Sequence, residues 1–156
     1  TSDRRQSVRY SDMSLAESDY FDEELRQAWQ DWLAGFGFQA FYTQTFSEPV
    51  TYPRLALNRA WRVLRTLVSR YDVGVRAFIA AEQHTLGTYH AHALVLTFPV
   101  HVLKLKDSLK WIWLVGSEYG LCRFESINKI GGVSGYVSKY LTKRVCDYDI
   151  FSIDPP

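Results

Sequence analysis

Two histidines one residue apart, His90 and His92, fall in a stretch that reads as a β-strand, about Tyr89 to Phe98. Side chains alternate along a strand, so both imidazoles leave the same face, roughly 7 Å apart along the backbone. Imidazoles so spaced can close on one divalent cation if a third ligand arrives from a neighbouring strand. Glu82 stands on the opposite arm of a predicted hairpin that begins near Val75. A simple four-residue loop would set Glu82 across from Ala91, on the wrong face. A three- or five-residue loop with a bulge at Gly87 returns it to the histidine face, so a bulged hairpin is expected. Two imidazoles and a carboxylate suit Mn²⁺ or Mg²⁺ acting as a Lewis acid, and Zn²⁺ is tolerated. The same three residues also read as satisfied partners on a half-buried sheet face. His84 is expected to cap the turn and His101 to lie on the surface.

A second group lies in Gly135-Tyr136-Val137-Ser138-Lys139-Tyr140-Leu141-Thr142-Lys143. Val133, Val137 and Leu141 recur every four residues and form the buried stripe of a predicted helix, about Val133 to Arg144. Tyr136 and Tyr140 are one turn apart, with Lys139 and Lys143 three residues after each, expected on the same exposed flank. A phenol is a poor nucleophile at neutral pH because its pKa is about 10. Nearby ammonium groups and a metal-bound phosphate favour the phenolate and offset charge developing on phosphorus. Tyrosine at the edge of an amphipathic helix with lysine outside it is equally an ordinary structural pattern.

The elements that must position these groups follow from periodicity. A helix is expected from about Tyr20 to Ala34, then an aromatic and β-branched strand from Phe38 to Phe46. Leu55 to Ser69 has helical spacing, with Leu57, Trp61, Leu64 and Val68 apolar. The hairpin follows, then a helix from about Val102 to Val115, a short strand from Leu121 to Ile127, and the tyrosine helix released by Gly131-Gly132. This α-β-α-β-β-α-β-α order predicts an α+β fold, one mainly antiparallel sheet with helices packed on it. Residues 1–17 are expected to be loosely packed and 18–156 to form a single domain.

Composition sets the outer bounds. The 156 residues are 47% hydrophobic and 15% aromatic, enough for one folded domain. Between Arg54 and Arg144 there are fourteen Lys/Arg against five Asp/Glu, and elsewhere four against twelve. That asymmetry suggests a polyanionic partner for the basic block. Arg59, Arg62 and Lys129 are candidates for backbone-phosphate contacts, or simply a solvated face. Two cysteines, Cys122 and Cys146, without a CxxC partner fit a reducing cytoplasm better than a disulfide framework. The polar start, Thr1 to Arg9, does not read as a signal peptide, and no apolar run is long enough for a membrane span. Thr1 in place of an initiator methionine reads as a processed chain or a piece of a longer one.

Taken together, Glu82, His90-x-His92 and Tyr136-x-x-Lys139-Tyr140, in that order, resemble the HUH endonuclease superfamily. Phe41-Tyr42-Thr43-Gln44-Thr45-Phe46 is similar to its first motif, and the three motifs span residues 41–143. The resemblance implies a fold related to RNA-recognition and polymerase-palm folds, with the histidine strand central and the tyrosine helix beside the metal. It implies that Glu82, His90 and His92 hold the cation while a tyrosine attacks single-stranded DNA at a replication origin. The products are a 5′-phosphotyrosine and a free 3′-OH for a host polymerase, as in initiators of rolling-circle replication. The tyrosine pair is similar to the two-tyrosine members, with Tyr136 the expected first nucleophile, Lys139 its companion and Tyr140 a second nucleophile or a structural neighbour. Gln44, where many members carry an apolar residue, is expected to change little. The acidic early helix is not part of the pattern, and no P-loop is present, so a helicase must be elsewhere or come from the host. Two alternatives remain, a transposase with the same chemistry and a non-catalytic module that binds single strands through exposed aromatics.

Overall fold

Ten-residue arms on either side of Gly87 form the centre of the sheet. In the computed structural model, which describes residues 15–84, 86–141 and 145–156, these arms are β2 (Gly74–Gln83) and β3 (Tyr89–Phe98). Gln83 pairs with Tyr89 and Glu82 with His90, so Glu82 and the histidines share a face. Gly87 has φ 76° and its N–H bonds to the His84 carbonyl at 3.0 Å, while the His84 N–H bonds to Thr88 at 2.8 Å. A turn completed by a left-handed glycine is the bulged hairpin that the residue spacing demanded.

Five antiparallel strands stand in the order β4-β1-β3-β2-β5, with β1 (Ala40–Gln44), β4 (Cys122–Ser126) and β5 (Val145–Ile153). The histidine strand β3 is therefore central. Alternation divides the core. Tyr42, Ile79, Ala81, Ala91, Ala93 and Val95 meet α2 (Pro53–Leu64), α3 (Thr66–Tyr71) and α4 (Lys106–Gly116) on one face. Phe41, Phe78, Ala80, Leu94 and Leu96 face the other way, onto Leu33 of α1 (Leu15–Ala34) and onto Tyr136 and Val137 of α5 (Gly132–Tyr140). The architecture is α+β, as expected.

Two elements differ from the expectation. The helix over 55–69 is broken at Arg65. There the Thr66 hydroxyl donates to the Val63 carbonyl at 2.6 Å and accepts from Trp111 Nε1 at 2.8 Å, competing with the helical ladder. The edge strand β5 was not anticipated. Tyr148 and Ile150 face the α1 side, while Phe151 and Ile153 join the opposite core. Asp147 and Asp149 interrupt the second apolar row, and Arg54 of α2 pairs with both at 3.0 and 2.8 Å.

Gln44 is fully buried. Its Nε2 donates to the carbonyls of Gly116 at 3.1 Å and Thr45 at 2.8 Å, and its Oε1 accepts from the Tyr42 hydroxyl. The side chain thus ties β1 to the end of α4, and the expectation that it changes little is corrected. Gln44→Leu keeps the volume but strands a buried phenol and a carbonyl. A loss of about 1–3 kcal/mol is expected in urea unfolding.

Candidate metal and nucleophile site

Strand register builds the site. His92 on β3 lies between Ala80 of β2 and Thr43 of β1, and Glu82 lies one step along, opposite His90. Small Ala80 leaves room above β2, so the Glu82 carboxylate and the His92 ring converge. Glu82 Oε1 is 3.8 Å from His92 Nε2 and 3.6 Å from His84 Nε2. Ligand atoms of Glu82, His84 and His92 all lie within 4.8 Å of one another. The structure therefore brings Glu82 and His92 together as expected, but the third group is His84. His90 sits behind it, its ring centroid 3.8 Å from that of His84. Burial, then the neighbouring His84 and His92, lower the His90 pKa against the opposing pull of Glu82.

The residues fit a divalent cation. Both the His84 and His92 Nε2 atoms are buried and have no hydrogen-bond partner. A buried imidazole nitrogen left so is costly unless something electropositive faces it. His92 Nδ1 lies 3.2 Å from Thr43 Oγ1. When Nε2 offers its lone pair, Nδ1 carries the proton and donates to that hydroxyl, which fixes tautomer and ring orientation. Thr43 is thus a functional residue whose role periodicity alone did not reveal; its signal was the threonine of the first motif. Phe41, two residues earlier, lies nearly parallel to the His92 ring at 6.1 Å.

The two tyrosines of α5 occupy different environments. Tyr136, expected on an exposed flank, is fully buried, and its hydroxyl donates to the His92 backbone carbonyl at 3.0 Å. Phe41 and Phe78 meet its ring edge to face. Its exposure is corrected because the stripe of Val133 and Val137 packs so closely that the adjacent position is drawn under the helix. Burial, followed by the charge of Glu82, pushes its pKa well above the usual tyrosine value. Tyr140 is half-buried at the last turn, with its ring 4.5 Å from His92 and 4.6 Å from Phe41. Lys139 is exposed, with Nζ 5.6 Å from the centre of the Tyr140 ring. Lys143 lies outside the described residues.

Tyr136 also predicts an alkaline limit. In the unfolded chain its phenol ionises near pH 10, while the folded chain holds the proton to higher pH. Stability is thus full below about pH 10 and declines above it, by up to about 1.4 kcal/mol per pH unit. Tyr42, also buried with a raised pKa, adds to this. Urea unfolding between pH 8 and 11 should show a shallower decline for Tyr136→Phe than for the native chain.

Of the basic candidates, Arg59 and Arg62 are on α2, across the sheet from the cluster. The Arg59 guanidinium lies over the rings of Phe46 and Tyr119 at 5.7 and 5.4 Å. Lys129 is exposed in the 3₁₀ turn Ile127–Ile130 that leads into α5. The structure brings neither α2 arginine to the site.

Residues 39–145 match the model of a family of replication-associated proteins of the ORF2 type, an interval that contains every residue of the cluster and both tyrosines. A replication protein of Haemophilus phage HP1 (strain HP1c1) is 32% identical over 97 residues. That match covers 57% of this chain and 12% of the phage protein, so the chain spans only a small part of the relative's length. No solved structure matches. Among the described residues, no helix is long and apolar enough to cross a membrane.

Proposed function

The chain belongs to the ORF2-type family of replication-associated proteins, and from that footing we propose that it initiates rolling-circle replication by nicking single-stranded DNA at an origin. The observation that carries the reading is the half-buried Tyr140 ring beside His92, within a cluster of imidazoles around one carboxylate. Glu82, His92 and His90 are the groups proposed to hold a divalent cation, Mn²⁺ or Mg²⁺. Such a cation supplies Lewis-acid polarisation of the scissile phosphate. Tyr140, rather than the buried Tyr136, is the proposed first nucleophile. Its phenolic oxygen bonds to phosphorus as the bond from phosphorus to the 3′ oxygen breaks. The phenol loses its proton and the departing 3′ oxygen gains one, so no further reactant is consumed. The result is a 5′-phosphotyrosine and a 3′-OH that a host polymerase extends, with strand separation by a helicase. Lys139 offsets the developing charge from the solvent side. Attack by a 3′-OH reverses the step and rejoins the strand.

The test is incubation of the protein with a labelled pool of single-stranded oligonucleotides in Mn²⁺ or EDTA, followed by a denaturing gel. An SDS-resistant protein–DNA band in Mn²⁺, absent in EDTA and in His92→Ala, is the expected result. Binding to single strands with no adduct in any divalent metal would overturn the reading in favour of a non-catalytic binding module.

A further inference from the structure

His84 is the first residue of the hairpin loop, and a turn cap would bond to the loop backbone. Its Nε2 does not; it is buried, without a hydrogen-bond partner, and 3.6 Å from Glu82 Oε1. His92 Nε2 is in the same condition and approaches the same oxygen at 3.8 Å. The backbone that carries His84 is held on both sides, by its N–H to Thr88 and by its carbonyl to the N–H of Gly87. The ring is therefore presented from a fixed turn. Two orphaned nitrogens converging on one carboxylate oxygen make a donor set for a cation, not a set of mutual hydrogen bonds.

We propose that His84 is itself a ligand of the divalent cation. This rests on the metal-dependent reading above and extends it to the choice of metal. With His84 included, imidazoles outnumber carboxylates in the set. Magnesium takes hard oxygen ligands and keeps its waters, whereas imidazole nitrogen favours the first-row transition ions. The site therefore selects Mn²⁺, Co²⁺ or Zn²⁺ over Mg²⁺. Because His84 opens the loop, the bound ion also fastens the hairpin tip to the sheet.

The test measures metal binding directly by titration calorimetry with Mn²⁺ and Mg²⁺, on the full chain and on His84→Ala, His84→Asp and His92→Ala. His84→Ala is expected to weaken Mn²⁺ binding by about 10–100-fold. It should narrow the preference for Mn²⁺ over Mg²⁺ by about tenfold. His84→Asp is expected to regain binding with a shift toward Mg²⁺, a response that a packing role would not give. Equal unfolding midpoints in EDTA establish that the variants fold. Mn²⁺ affinity unchanged in His84→Ala but lost in His92→Ala overturns the assignment of His84 and leaves the nuclease reading standing. Absence of divalent binding by the native chain overturns both.

Discussion

Tyr140→Phe is expected to abolish the SDS-resistant adduct with single-stranded DNA, a loss of at least about a thousandfold, while Tyr136→Phe retains it. The difference lies in where the two phenols sit. A nucleophile must bring its oxygen to about 3–3.5 Å from phosphorus. Tyr136 has no exposed surface, and its hydroxyl is engaged with the His92 carbonyl. It could attack only by breaking that bond and leaving its pocket of Phe41 and Phe78. Tyr140 needs no such rearrangement, since it is partly exposed and already lies against the His92 ring. Both variants remove one hydroxyl from a ring that keeps its packing. A difference between them on the denaturing gel therefore reports chemistry and not folding. Persistence of the adduct in Tyr140→Phe with loss in Tyr136→Phe would reverse the assignment.

Gly135→Ala should cost about 3 kcal/mol or more, the larger end of what overpacking does. A Cβ at this position would sit 1.7 Å from the Ile130 carbonyl oxygen and 2.8 Å from its carbon. The obstacle is backbone, so no rotamer change relieves it. The 3₁₀ turn and α5 would have to separate, taking both tyrosines with them. Gly132→Ala is the informative comparison. It has no atom within 4 Å of its Cβ but a φ of 71°, so its cost is conformational, about 1–2 kcal/mol. Urea unfolding of the two variants checks both numbers. A Gly135→Ala protein as stable as Gly132→Ala would mean that the junction is looser than described.

Much of the site was legible because strand alternation is a strong constraint. His90, His92 and Glu82 could share a face only in one register, and that register required the turn at Gly87 to bulge. Thr43 was less legible, since its role depends on pairing with His92 across forty-nine residues of chain. His84 was misplaced because periodicity stops at a turn. No alternation rule says which way the first loop residue points. Tyr136 and Tyr140 looked equivalent on a helical wheel. They differ because the earlier turn of α5 is submerged against the sheet while the last turn stays partly clear. The edge strand β5 was hidden by Asp147 and Asp149, which look like loop residues until Arg54 is placed opposite them. Gln44 was underestimated because its value lies in Gly116, seventy-two residues away.

The hydrogen bond from Tyr136 to the His92 carbonyl works as a gauge block between helix and sheet. A phenol has a fixed length, so its seat on β3 sets how far α5 stands off the strand that carries the histidine. Tyr140, one turn later, inherits its reach from that standoff. Shortening the block lets the helix settle, and lengthening it lifts the nucleophile away, although neither change touches a reacting atom. Two tyrosines four residues apart can therefore divide one task, the first setting the clearance and the second crossing it.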